Sequence, residues 1–150
     1  MHLHSAAFRD GATIPVPFTA DGDNHSPPLD WSGAPAAARS FAIVCCDPDA
    51  PSGSWYHWAV FDIPARTEQI ATHLPPESPA PRQAYNDFGR LGYGGPAPPR
   101  GHGRHHYKFT IYALSVERLE VPARPRCIDI ERAARRNAIA SAELTGIYSR

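Results

Sequence analysis

Three short stretches of the chain combine ionisable side chains with residues that hold the backbone still. The first is Asp47-Pro48-Asp49-Ala50-Pro51, which follows an apolar run ending at Cys46. Each proline fixes its own φ and drives the preceding residue out of the helical region, so both carboxylates stand on a stiff, extended turn. A carboxylate held in this way can orient an imidazole; the plainer reading is that Asp47 and Asp49 cap backbone amides of the turn. The Ala50–Pro51 bond is a candidate for the cis form. The second stretch is Trp55-Tyr56-His57-Trp58, opening a strand that continues Ala59-Val60-Phe61-Asp62-Ile63. Period-two counting puts His57 on one face with Trp55, Ala59, Phe61 and Ile63, and puts Tyr56, Trp58 and Val60 on the other. A histidine on an apolar face needs a partner, and a backbone carbonyl is the usual one. The third runs from Gly94-Gly95-Pro96 through Pro98-Pro99-Arg100-Gly101-His102-Gly103-Arg104 into His105-His106-Tyr107. Glycines let backbone approach a ligand closely, and successive free N–H groups can line an anion cavity. His105 shares parity with Tyr107, Phe109 and Ile111, whereas His106, Lys108 and Thr110 face oppositely. His102 and His106 read as surface histidines of a proline-stiffened loop.

The elements that must position these residues are short. Seventeen prolines and eleven glycines are spread along 150 residues, which breaks the chain into brief segments and excludes long helices before about residue 128. Strands are expected at 13–18, 40–46, 56–63 and 106–116, each apolar or alternating between turn residues. Little polar alternation in 40–46 and 59–61 implies strands covered on both faces. Residues 128–144 contain no Gly or Pro and are rich in helix formers, which predicts a C-terminal helix capped by Asp129 and ended by Gly146. Its stripe of small residues, Ile130, Ala133, Ala134, Ala138, Ser141 and Ala142, suits close packing on a sheet. Asn137 falls in that stripe and reads as bonded to nearby backbone. The expectation is one all-β dominated domain over residues 1–150.

Composition narrows the function. Fifteen basic residues balance fifteen acidic ones, so no net field draws the protein to nucleic acid or to an anionic membrane, and any anion recognition must be local. No stretch has the ~18 apolar residues of a membrane span, and the first ten residues lack the pattern of a signal peptide, so a cytoplasmic location is expected. Adjacent Cys45 and Cys46 with a separate Cys127 are no disulfide framework. Neither GxGxxG nor GxxxxGK[ST] occurs, and the glycine-rich loop leads into a strand, so phosphate on a helix dipole is unavailable.

The Asp-Pro-Asp-Ala-Pro run and the Gly-Pro-x-Pro-Pro-x-Gly…His loop resemble those of the phosphatidylethanolamine-binding protein family, in its bacterial, Raf kinase inhibitor-like branch. The likeness extends over nearly the whole chain, from Ser5-Ala6-Ala7-Phe8 through Asn24-His25-Ser26-Pro27-Pro28 and Asn86-Asp87-Phe88-Gly89 to Ala142-Glu143-Leu144-Thr145-Gly146-Ile147-Tyr148. It implies an antiparallel β-sandwich with peripheral short helices and a C-terminal helix. It also implies a small pocket for phosphate-type groups formed by Asp47, His57 and His105, with Trp55, Gly95, Pro96 and Tyr107 as walls and Pro51 as the family's cis-proline. Ala20 and Asn137 depart from the pattern, standing where relatives often have Cys and His. The departure at Asn137 weakens any pocket role for the last helix, and contact by Tyr148 is left open.

The expected function is therefore non-enzymatic binding of a small anion, a phosphate, phospholipid headgroup or carboxylate, without a cofactor. The family likeness adds a protein partner such as a kinase or protease, and, by analogy, a homodimer. The alternative is an enzyme, with either a metal held by two histidines and one carboxylate or a histidine serving as general base of a hydrolase. No metal-site spacing and no paired Ser or Cys nucleophile supports it.

Overall fold

The run Ser40-Phe41-Ala42-Ile43-Val44-Cys45-Cys46 carries no charge, and such a segment can be a strand only if both of its faces are covered. In the computed structural model, which describes residues 1–150, this is how it is used. After a short first strand β1 (His2–His4) and β2 (Leu29–Ser32) comes β3 (Ser40–Asp47). It is central to a five-stranded antiparallel sheet, between β4 (Trp55–Pro64) and β7 (His105–Leu114). The outer positions belong to β6 (Arg82–Gln83), beside β4, and β8 (Ala138–Tyr148), beside β7. A smaller sheet of β1, β2 and β5 (Gln69–Ile70) covers one face, and α1 (Cys127–Asn137) covers the other.

Strand periodicity sorts the side chains between two cores. Phe41, Ile43 and Cys45 of β3 join Tyr107, Phe109 and Ile111 of β7 against Leu3, Leu29 and Trp31 of the small sheet. Ala42 and Val44, with Ala59 and Phe61 of β4, meet Cys127, Ile130, Ala133 and Ala134 of the helix. The small residues let the helix lie close to the sheet. Asp129 accepts the Arg126 amide at 2.9 Å and so caps the first turn. Asn137 donates to the Ala133 carbonyl at 2.8 Å, the local backbone bond expected of it. No helix is long and apolar enough to cross a membrane.

β4 does not keep a strict alternation. Cys45 pairs with Trp58 but Cys46 with Tyr56, leaving His57 as an extra residue; a second offset lies between the Phe41–Ile63 and Ile43–Val60 pairs, where Asp62 has a φ of 55°. The two bulges correct the expected set around His57. Ala59 and Phe61 pack toward the helix, while Trp58 and Val60 belong to the inner core and Ile63 returns to it past the second bulge. A bulge adds one residue to one strand only, which period-two counting cannot see.

Two further expectations are corrected. In 13–18 only Thr13 bridges, to Ile147, and Val16–Phe18 is a 3₁₀ turn; Pro15 and Pro17 have no N–H to donate to a ladder. The helix over 128–144 ends at Asn137, and Ala138–Tyr148 is β8, paired with β7 along its length. Its buried residues, Leu144, Gly146 and Tyr148, recur with period two, and the open edge of β7 outweighs the helical preference of the alanines. Gly146 is therefore no helix terminator. A Cβ there would run into Cγ1 of Ile14, and would lie 2.7 Å from its Cδ1, the atom a valine lacks, and 3.0 Å from Phe8. Gly146→Ala is predicted to lower stability by about 1–3 kcal/mol in urea unfolding, the usual cost of overpacking, and Ile14→Val in the same chain should recover part of the loss. Equal stability of Gly146→Ala and the wild type would contradict the close contact.

Candidate functional site

The site lies at the end of the large sheet where β3 finishes and β4 and β7 begin. Asp47, His57 and His105, from three separate segments, line one cavity of about 260 Å³. Asp47 uses both carboxylate oxygens. Oδ1 accepts the Asp49 amide at 2.7 Å, closing the turn, and Oδ2 accepts from Nδ1 of His105 at 2.6 Å. Both readings of this acidic turn thus hold together: Asp47 is an amide cap and an imidazole orienter. Asp49 instead binds the backbone amide and Nδ1 of His106 on the exposed face, and the His106 bond draws its carboxyl below the usual value.

The bulge shapes the second histidine. Without a partner on β3, the His57 backbone carbonyl accepts the Gly94 N–H at 3.0 Å, and the His57 Nδ1–H donates to the Gly94 carbonyl at 2.5 Å. Gly94 can come this near because it has no side chain: a Cβ would lie 2.6 Å from Phe88. A carbonyl only accepts, so Nδ1 carries the proton and Nε2 has the free lone pair. Phe88 and Tyr107 stand edge-on to the imidazole at 5.4 and 5.1 Å. Burial pushes the His57 pKa below its ordinary value, against the opposing pull of the Gly94 carbonyl and the Asp47 charge. The same cause raises the phenol of Tyr107.

His105 has a second partner. Its Nε2 is 2.6 Å from Nδ1 of His102, so Asp47, His105 and His102 form a continuous chain of hydrogen bonds from the buried carboxylate to the exposed loop. The reading of His102 as an uninvolved surface histidine is corrected. Its side chain is exposed, but the loop folds it back over His105, a contact that strand parity does not report. His106 does point away, as parity requires.

Among the expected walls, Trp55 and Tyr107 line the cavity. Gly95 lines a neighbouring cavity of about 150 Å³, and Pro96 lines neither, its carbonyl accepting the Ala20 amide. Phe88 and Ala97 line both cavities; the sequence does not announce Phe88 as a wall, since its Asn-Asp-Phe-Gly turn has no periodicity to aim it. The remaining wall is supplied by Ala50, Pro51, Ser52, Pro98 and Pro99. Pro51 is not a cis-proline; the cis bond is Ala80–Pro81. Ala50 accepts from Gly53 at 2.9 Å, and the second position of such a turn takes a trans-proline, since cis-proline turns need it one place later. Tyr148 stays outside the cavity, donating to Asp21 at 2.6 Å.

The fold and pocket define a class: β-sandwich proteins with a small ligand cavity at one end of the sheet. A family model described as phosphatidylethanolamine-binding protein matches residues 4–149. The chain is 43% identical to a UPF0098 protein of Aquifex aeolicus, the alignment covering all of this chain and 89% of that one. It is equally identical to a UPF0098 protein of Methanothermobacter thermautotrophicus, over 100% and 99% of the two chains. The crystal structure of Escherichia coli YbcL, described as a new member of the mammalian PEBP family, superposes with a TM-score of 0.91 at 32% identity, covering 99% and 98%. The chain belongs to the phosphatidylethanolamine-binding protein family.

The two acidic side chains of the turn are predicted to differ in weight. Asp47→Ala leaves a buried imidazole N–H without an acceptor and should cost about 1–3 kcal/mol in urea unfolding. Asp49→Ala breaks an exposed pair and should cost no more than about 1 kcal/mol. Equal losses would show that the Asp47–His105 bond has no special role in stability.

Proposed function

We propose that the protein is a non-enzymatic binding module that takes a small phosphate-type or carboxylate group in the cavity bounded by Asp47, His57 and His105. The observation that carries this reading is that both buried histidines have Nδ1 already engaged, one by a carboxylate and one by a carbonyl. What His57 has left to offer a ligand is Nε2; on His105 the same atom faces the cavity end of the ring but is shared with His102. A bound dianion favours protonated imidazole, and the Asp47 carboxylate holds the His105 ring in position. Trp55 adds an indole to the cavity wall. The volume suits a headgroup-sized ligand; an acyl chain would have to remain outside.

The enzymatic alternatives have less support. No three His, Cys, Asp or Glu side chains are grouped so as to hold a metal ion, and Asp47 meets Nδ1 of His105, the opposite side of the ring from Nε2. Ser52 lines the cavity, but neither imidazole is hydrogen-bonded to it. A hydrolase with Ser52 as its nucleophile would need that pairing.

Sulfate, which stays dianionic through this pH range, is a suitable probe. The free-state pKa of His57 is depressed and an adjacent dianion raises it, so binding takes up a proton between the two values. Affinity is then greatest below the free-state pKa and is lost as pH rises through the bound-state one. Calorimetry should show sulfate binding tighter near about pH 5.5 than near about pH 8, with a slope of no more than about tenfold per pH unit for one proton. An affinity independent of pH would remove the histidines from the anion site.

A further inference from the structure

His105 faces the cavity, yet its Nε2 is bonded to His102, which is not part of the cavity wall. With Nδ1–H donated to Asp47, neutral His105 has only Nε2 left as an acceptor, so the shared proton belongs to Nδ1 of His102. An anion in the cavity wants the reverse, a proton on His105 Nε2 that points at it. The two hydrogen bonds compete for one atom.

The loop around His102 is built to let go. Gly101 and Gly103 flank it with φ of 75° and 88°, and a Cβ at either would meet nothing within 4 Å. Neither glycine is there to make room for a neighbour; both supply a backbone conformation that other residues rarely adopt, one on each side of the imidazole. The base of the loop is fixed. Gly101 donates to the Arg150 carbonyl at 3.2 Å, and the Arg150 side chain is held by Asp21 at 2.9 Å. The His102 amide bonds only to Pro99, within the loop. His102 is thus a single side chain on a two-glycine swivel above an anchored base.

We propose that His102 is a built-in competitor for the anion pocket: it caps Nε2 of His105 when the pocket is empty and swings away when an anion takes its place. This rests on the anion-binding reading above and adds a cost that every ligand meets: any anion must displace the same imidazole before it reaches Nε2 of His105.

The test uses sulfate again, with acetate as the weaker anion, on the wild type, His102→Ala and His105→Ala. His102 is exposed, so its removal should leave the fold intact, and urea unfolding checks this. Removing the cap should tighten sulfate binding by about two- to tenfold, the equivalent of one neutral hydrogen bond, whereas His105→Ala should weaken it. Acetate should gain by a similar factor in His102→Ala, because each anion no longer has to break the same bond. Imidazole ¹⁵N NMR of the free wild type should show Nε2 of His105 hydrogen-bonded, with that signature gone in His102→Ala. Sulfate binding that is unchanged or weaker in His102→Ala would overturn the proposal, as would a His105 Nε2 signal indifferent to the substitution. If neither anion binds any of the three proteins, the anion-binding reading itself falls and the competitor with it.

Discussion

The pairing of Asp47 with His105 is the contact on which the site depends. It joins the last residue of β3 to the first residue of β7, and both side chains are almost wholly buried, at 4% and 2% exposure. A buried carboxylate is costly unless its lone pairs are engaged. Here one oxygen closes the turn that follows β3 and the other fixes the histidine that opens β7. The turn, the ring orientation and the register at this end of the sheet are consequently one arrangement. Displacing any one of them leaves charge without a partner.

The bulge at His57 is the second device. A regular β4 would send His57 and Trp58 to opposite faces, so either the core would lose its indole or the cavity its imidazole. One extra residue lets both serve the inner side, and the backbone carbonyl it releases is taken up by Gly94. The Trp58 indole then donates to Gln83 of β6 at 2.8 Å, inside the core. Irregularity in the strand is what allows a polar group to stand at the mouth of an apolar layer.

Much of this was legible in the sequence where local chemistry and periodicity agree. The uncharged run of β3 announced burial on two faces, the parity of His105 with Tyr107, Phe109 and Ile111 holds, and the three stiff loops do converge on one cavity. What was hidden depends on partners distant in the chain. Residues 138–148 carry helix formers, and only the unpaired edge of β7 makes them a strand. The side of β4 on which each residue lies is set by bulges that no spacing rule encodes. His102 reads as a surface residue because it is one; the glycines that fold it back over His105 are visible in the sequence, but the direction of the fold is not.

The order of strands in the large sheet also has a kinetic side. β3 and β4 are joined by seven residues and can zip as a hairpin, but the opposite edge of β3 is closed by β7, which begins 58 residues after Asp47. Closing a long loop is slow, and pairings of high sequence separation form late. Until then Phe41 to Cys46 presents an open edge of six uncharged residues without proline or glycine, the composition that pairs readily with a second copy of itself. The segment that makes the finished core dry is thus, during folding, the part of the chain most exposed to aggregation.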